Sequence, residues 1–219
     1  MGPVQERRLG QSIMLELRTD PSYSDDPEVT DYLTTLGYKL VGAGPDARQE
    51  FNFFLMQDPQ VNAFALPGGF IGINSGLILT AQSESELAGV MAHEISHVTL
   101  RHGTAQASKA GRYQTGQVAG AVLGAIIGGR LGAVVAQTTQ FGLGAAFLRF
   151  GREYEKQADI MGAQLMARAG YDARDMAAMF RTIEKQGGSN GPEWLSDHPN
   201  PGNRSAYIEQ EAQIGRAHV

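Results

Sequence analysis

Met91-Ala92-His93-Glu94-Ile95-Ser96-His97 decides how the rest of the chain is read. It carries H-E-x-x-H inside a run whose apolar residues, Leu87, Val90, Met91, Ile95 and Val98, recur at helical spacing. On a helix, His93 and His97 lie four apart and project from one face, where two neutral imidazoles can grip one zinc ion. Glu94 stands beside them, placed to take a proton from a water activated at that ion. The competing reading is a solvated helix with two incidental histidines. The apolar spacing argues against it, because a packed helix buries its histidines and buried histidines need partners. The expected chemistry is therefore zinc-assisted hydrolysis of a peptide bond, with one zinc ion per chain.

Length and composition narrow the alternatives. The chain has 219 residues, 42% hydrophobic, which suits one domain or one domain with an extension. Its net charge is −5 with no lysine or arginine cluster, so no nucleic-acid partner is expected. Cysteine is absent, which rules out disulfides and thiolate ligands and leaves His, Asp and Glu to hold a metal. The first twenty residues are polar and charged, without the apolar stretch of a leader.

Ser83-x-x-Glu86 reads as a capping box, so the helix is expected from Ser83 to about His102, before Gly103. On a continuous helix His102 falls about 180° from His93, at about 100° per residue, and is expected to be exposed or to cap the C-terminal dipole, not to be a ligand. The pattern also does not continue as H-E-x-x-H-x-x-G-x-x-H, since Leu100 and Gly103 occupy the glycine and third-histidine positions. A third ligand must come from elsewhere in the chain.

Residues 147–170 read as a long helix in which Glu155 and Asp159, four apart, share a face with Gly162 and Met166. Two inward acids need a cation or donors. Glu155 as third zinc ligand and Asp159 as acceptor from a ligand histidine satisfy both requirements. Surface salt bridges with Arg152 and Lys156 are the alternative. Glu153, about 200° away, is expected in solvent. Further on, His198 sits in a proline-bracketed turn and Arg204 in the first turns of a closing helix. His198 could bind the open metal position, stabilise the transition state, or simply cap the turn.

Before the motif, two helices are expected, Gln5–Leu17 and one opened by Pro27 that closes near Gly42, forming a cover without chemistry of its own. Phe51–Met56, Val61–Leu66 and Phe70–Asn74 read as three strands, the first two paired across Asp58-Pro59. An exposed strand edge at Asn62, Ala63, Phe64 and Ala65 would bind an extended or unfolded polypeptide by β-augmentation. An ordinary sheet over a helical core is the alternative. The division expected is 1–50 as helical cover and 51–219 as the metallopeptidase core. Gly116, Gly120, Gly124, Gly128 and Gly132 recur every four residues. Close packing, membrane contact through 116–136 and self-association all fit that spacing, and a lid over the cleft is one further expectation.

Taken in order, H93-E-I-S-H97, E155-K-Q-A-D159-I-M-G162 and H198-P-x-x-x-x-R204 resemble the BepA/HtpX and CAAX-prenyl-protease family of zinc metalloendopeptidases, which are gluzincins. The resemblance covers about 51–214, with Asn62–Leu66 similar to the family's substrate-edge strand and Ser75-Gly76-Leu77 similar to the segment after that strand. It implies an α+β fold: a mainly helical zincin-like domain with a small three-stranded sheet whose edge strand lies beside the active-site helix. It implies His93, His97 and Glu155 as zinc ligands, Glu94 as general base and acid, and Asp159 behind them. It further implies His198 near the metal, as a fourth ligand that keeps the enzyme latent, and Arg204 as a stabiliser of the tetrahedral intermediate. A quality-control protease of the periplasm or cell envelope is the expected role, and a latent or vestigial zinc-site scaffold the alternative.

Overall fold

The computed structural model describes residues 2–45, 49–111, 150–186, 194–195, 198–200 and 202–216. The glycine series at 116–132, with the membrane and lid expectations attached to it, lies outside the described residues. No helix among the described residues is long and apolar enough to cross a membrane.

Four strands form one sheet in the order β1-β2-β4-β3, where β1 is Tyr23–Ser24, β2 Asn52–Met56, β3 Ala63–Leu66 and β4 Phe70–Asn74. The expected three-stranded sheet gains β1, too short for alternation to reveal. The expected pairing of the first two long strands is also corrected. β3 forms its hairpin with β4, Ala63 opposite Ile73, while β2 runs parallel to β4, Phe53 opposite Ile71. The reason is local: Gly68 and Gly69, at φ 79° and 89°, make the tight reversal after β3. Asp58-Pro59 instead carries the chain across the sheet.

Both faces of the sheet are covered, and alternation sorts its side chains. Phe53, Leu55, Ala63, Ala65, Ile71 and Ile73 face the larger core, while Phe54, Met56, Phe64, Leu66 and Phe70 face a second cluster. That second cluster is closed by Ile13, Met14 and Leu17 of α1 (Pro3–Leu17). On the other side, α2 (Pro27–Gly42), N-capped by Asp26 with Pro27 at its first position, presses Leu33, Leu36 and Leu40 into the main core. Each such side chain, fully removed from water, contributes about 1.5–3 kcal/mol.

After the short α3 (Ser75–Thr80), α4 (Glu84–Thr99) runs through the centre, with Glu86 to His97 all buried. Its cap differs from the expected box: Ser83 Oγ accepts from the Glu86 N–H at 3.2 Å, but the Glu86 carboxylate accepts from the Gln82 N–H at 2.7 Å. Edge strand β3 packs against α4, as do α6 (Arg152–Arg168) and α7 (Ala173–Gln186). Two glycines set how closely. A Cβ on Gly89 would lie 2.7 Å from the Met176 Cα, and one on Gly162 would lie 3.2 Å from the backbone of Ala92 and His93. The α6 backbone therefore runs directly against the His93 turn, which brings the acids of α6 to the histidines. α8 (Arg204–Arg216) closes the bundle over α6 and α7.

Candidate metal centre

His93 and His97 point from one face of α4, and Glu155 points at them from α6. The His93 and His97 Nε2 atoms are 3.0 Å apart, and each lies 3.4 Å from a Glu155 carboxylate oxygen. His198 completes the group from the C-terminal turn, its Nδ1 3.2 Å from His93 Nε2 and 3.2 Å from Glu155 Oε1. All four residues are buried, and one donor atom from each lies within 4.8 Å of the others. Metal–ligand bonds of about 2.0–2.1 Å in a tetrahedron separate the ligands by about 3.3–3.4 Å. Separations of 3.0–3.4 Å between these donors thus suit one small tetrahedral cation.

The chemistry of the set points the same way. Both Glu94 oxygens are buried without a hydrogen-bond partner among the described residues, and burial pushes the Glu94 carboxyl up. His198 Nε2 lies 3.6 Å from Glu94 Oε1. Burial alone would raise Glu155, but the charge of His198 and hydrogen bonds from His198, His93 and His97 hold it well below the usual range. The histidines divide. Burial works to lower both, yet hydrogen bonds to Asp159 and Glu155 push His93 to about 9, while burial takes His97 down to about 3. One imidazolium between the acids disfavours a second beside it. The neighbouring acids raise both His93 and His198, so a divalent cation entering here competes with protons.

Asp159 organises the layer behind. It accepts from His93 Nδ1–H at 2.8 Å, from Arg204 Nε and Nη2 at 3.0 and 2.7 Å, and from Tyr207 O–H at 2.5 Å. Arg204 is buried, stacked 4.1 Å over the Phe180 ring, with Nη2 also 3.5 Å from Glu155 Oε2. The guanidinium is thus committed mainly to Asp159, and Nη1 has no partner among the described residues. Tyr207 was missed by the sequence reading. Its position one turn after Arg204 on the same helix face was the available signal. Trp194 was missed too: it stacks on His198 at 4.8 Å and on Phe180 at 4.8 Å, holding the turn over the centre.

The substrate-edge residues are placed as follows. Ala63 and Ala65 face the main core, the Phe64 ring packs edge-on to Phe54 in the second cluster, and the Asn62 carbonyl accepts from the Asn74 N–H at 3.0 Å. A small cleft, with room of about 30 Å³ for water-sized groups, opens between Ala65, Leu66 and Pro67 on the strand side and His97, Val98 and Phe150 on the other. Glu153 is exposed, as its helical angle implied.

His102 departs from expectation. It is 2% exposed and not in solvent, and α4 does not reach it. The helix stops at Thr99, Arg101 takes φ 57°, and α5 (His102–Gly111) starts afresh. The reversal swings His102 against the back of His97, with the two Nδ1 atoms 3.0 Å apart. It is clamped from far away in the chain: Glu6 of α1 accepts from Arg101 Nε at 3.0 Å, from Arg101 Nη2 and from Thr104 Oγ1 at 2.5 Å. The first helix therefore does more than cover, and nothing in the local sequence announces that contact.

The sequence profile of peptidase family M48 matches residues 29–212, a span that contains every member of this centre. The chain belongs to peptidase family M48. Among similar proteins, a Vibrio cholerae protein described as a beta-barrel assembly-enhancing protease is 38% identical over 214 residues, 95% of this chain and 44% of that protein. The beta-barrel assembly-enhancing protease of Escherichia coli K12 is 33% identical over 221 residues, 98% of this chain and 45% of that protein. The mitochondrial metalloendopeptidase OMA1 of Arabidopsis thaliana is 33% identical over 162 residues, 71% of this chain and 30% of that protein. The chain thus spans under half the length of these M48 relatives. M48 peptidases are metal-dependent, and the His93, His97, Glu155 and His198 group is the set of donors that fits a metal among the described residues.

Proposed function

We propose that this M48 chain forms the catalytic part of a zinc-dependent metalloendopeptidase that cleaves extended or unfolded polypeptide. The carrying observation is the convergence of donor atoms from His93, His97, Glu155 and His198, with Glu94 buried next to His93 in the same helix. In this reading His93, His97 and Glu155 hold one zinc ion. When bound, zinc supplies Lewis acidity, polarising the scissile carbonyl and bringing the pKa of water to about 7. Glu94 takes the proton of the attacking water and passes it to the leaving amine. Asp159 keeps the proton of His93 on Nδ1, so Nε2 presents its lone pair. Arg204 keeps positive charge close to Glu155 and favours the negative charge that develops on the substrate oxygen.

An extended substrate would run along β3, adding a strand at Asn62, Ala63, Phe64 and Ala65. Support comes from the sheet order, which leaves β3 with β4 as its one paired neighbour among the described strands, and from the cleft joining Ala65 to His97. The periplasm or cell envelope is the proposed location, and protein quality control the role. The beta-barrel assembly named in two relatives supports both. The relatives named as proteases favour an enzyme over a scaffold with a vestigial site.

The test is metal analysis with hydrolysis of an unfolded protein such as reduced casein. About one zinc per chain is expected, with cleavage abolished by a chelator and restored by zinc. Cleavage that persists without metal would overturn the reading. His198 would hold a fourth position on the ion and keep the enzyme latent, so His198→Ala is expected to raise turnover several-fold. A fall would assign His198 to the chemistry instead, and unchanged activity and metal affinity would remove it from the mechanism.

A further inference from the structure

His93 and His97 are both directed at the metal position through Nε2, but the groups behind them differ in kind. Behind His93 stands the Asp159 carboxylate. Behind His97 stand an imidazole and a side-chain amide, with a carboxylate only at the far, exposed end. His97 Nδ1 is 3.0 Å from His102 Nδ1, His102 Nε2 is 3.1 Å from Gln157 Oε1, and Gln157 Nε2 is 3.2 Å from Glu153 Oε1. The direction of every bond is set from the outer end. An ionised Glu153 only accepts, so the amide group facing it is the Gln157 NH2. Gln157 then turns its carbonyl oxygen to His102, which must carry its proton on Nε2 and a lone pair on Nδ1. The contact between the two Nδ1 atoms is a hydrogen bond only if His97 donates. His97 is left with a lone pair on Nε2, the form in which an imidazole binds a metal.

We infer that His102, oriented by Gln157 and Glu153, is a positioning residue that selects the metal-binding tautomer of His97. The inference rests on the metal-centre reading above. The chain of contacts also gives the buried position of His102 and the broken helix at Arg101 a purpose. A continuous helix would have pointed His102 away, whereas the reversal delivers an acceptor to His97 Nδ1. The choice of a neutral acceptor matches the charge already present. Glu94, Glu155 and Asp159 are buried within the same centre, and a fourth carboxylate behind His97 would add a further uncompensated negative charge. A neutral acceptor fixes the ring while raising its basicity less than a carboxylate does, which leaves a bound cation more electrophilic.

The experiment measures zinc affinity by chelator competition and histidine tautomers by long-range 15N–1H correlation on the zinc-loaded full chain. His102→Phe keeps the ring that stacks on Tyr154 at 4.6 Å but removes the acceptor. It is expected to weaken zinc binding about 10–100-fold. Gln157→Leu acts from an exposed position, where folding is not at risk, and is expected to weaken zinc about 10-fold. Gln157→Glu returns an oxygen acceptor to His102 Nε2–H, though without the amide donor to Glu153, and is expected to recover the His97 Nδ1–H signal and to bind zinc more tightly than Gln157→Leu. A purely structural role for His102 would not produce that Leu-to-Glu rescue. If the parent binds zinc and both His102→Phe and Gln157→Leu bind it within twofold of the parent, the inference is overturned while the metal centre stands. A parent that binds no zinc overturns the metal centre itself.

Discussion

Glu94→Gln is expected to retain zinc at one ion per chain and to lose peptide hydrolysis by a factor on the order of 10²–10⁴, the usual contribution of a positioned general base. Zinc is retained because Glu94 is outside the donor set of His93, His97, Glu155 and His198. Activity is lost because, among the described residues, the other two acids of the centre are engaged. Glu155 is engaged by His198, and Asp159 is saturated by His93, Arg204 and Tyr207. The amide fills the same volume, so the fold has no cavity to absorb. Burying a neutral amide in place of a carboxylate that burial has pushed up relieves the native state, so Tm should hold or rise. Zinc stoichiometry, Tm and kcat/KM on unfolded casein together make the test. Hydrolysis within tenfold of the parent would remove Glu94 from the role of base.

Asp159→Ala is expected to cost the most stability, about 3–5 kcal/mol, because it strands the buried Arg204 guanidinium without its carboxylate. Tyr207 O–H and His93 Nδ1–H lose their acceptor in the same step. Urea denaturation of parent and variant, both without zinc, isolates this from any change in metal binding. A loss below about 1 kcal/mol would show that Arg204 finds water or another acid and that Asp159 is not the keystone. The same residue predicts an acid response. Burial would raise Asp159, but the His93 hydrogen bond and the Arg204 charge outweigh it and leave the carboxyl lowered. Its stabilisation is therefore fully present above the unfolded carboxylate value of about 3.9, and is lost only as pH falls through the lower folded value. The parent should keep its advantage over Asp159→Ala through mildly acidic pH and lose it below about pH 4.

The legibility of this site tracks sequence distance and geometry. The H-E-x-x-H helix and the Glu155/Asp159 helix were readable because four-residue spacing on a helix is a local fact, independent of what packs outside. Pro27 and Asp26, or Gly68 and Gly69, were readable for the same reason: cap and turn chemistry acts within a few residues. The strand pairing was misread because β2 finds its partner in β4 across an intervening strand, a choice made by which faces two cores cover.

His102 shows the limit most sharply. Counting about 100° per residue placed it about 180° from His93, and the count is sound for an unbroken helix. The helix instead ends at Thr99, and Arg101, just past that end, is held by a glutamate 95 residues earlier, Glu6. The sequence by itself determined the donor types, the helices that carry them and the glutamate beside the first histidine. Only the tertiary structure decided that Gly162 lets α6 approach His93, that Asp159 answers to Arg204 and Tyr207, and that His102 stands behind His97. Donor identity and helical phase are written within one turn of chain, whereas the distances between donors on separate helices depend on packing of the whole core.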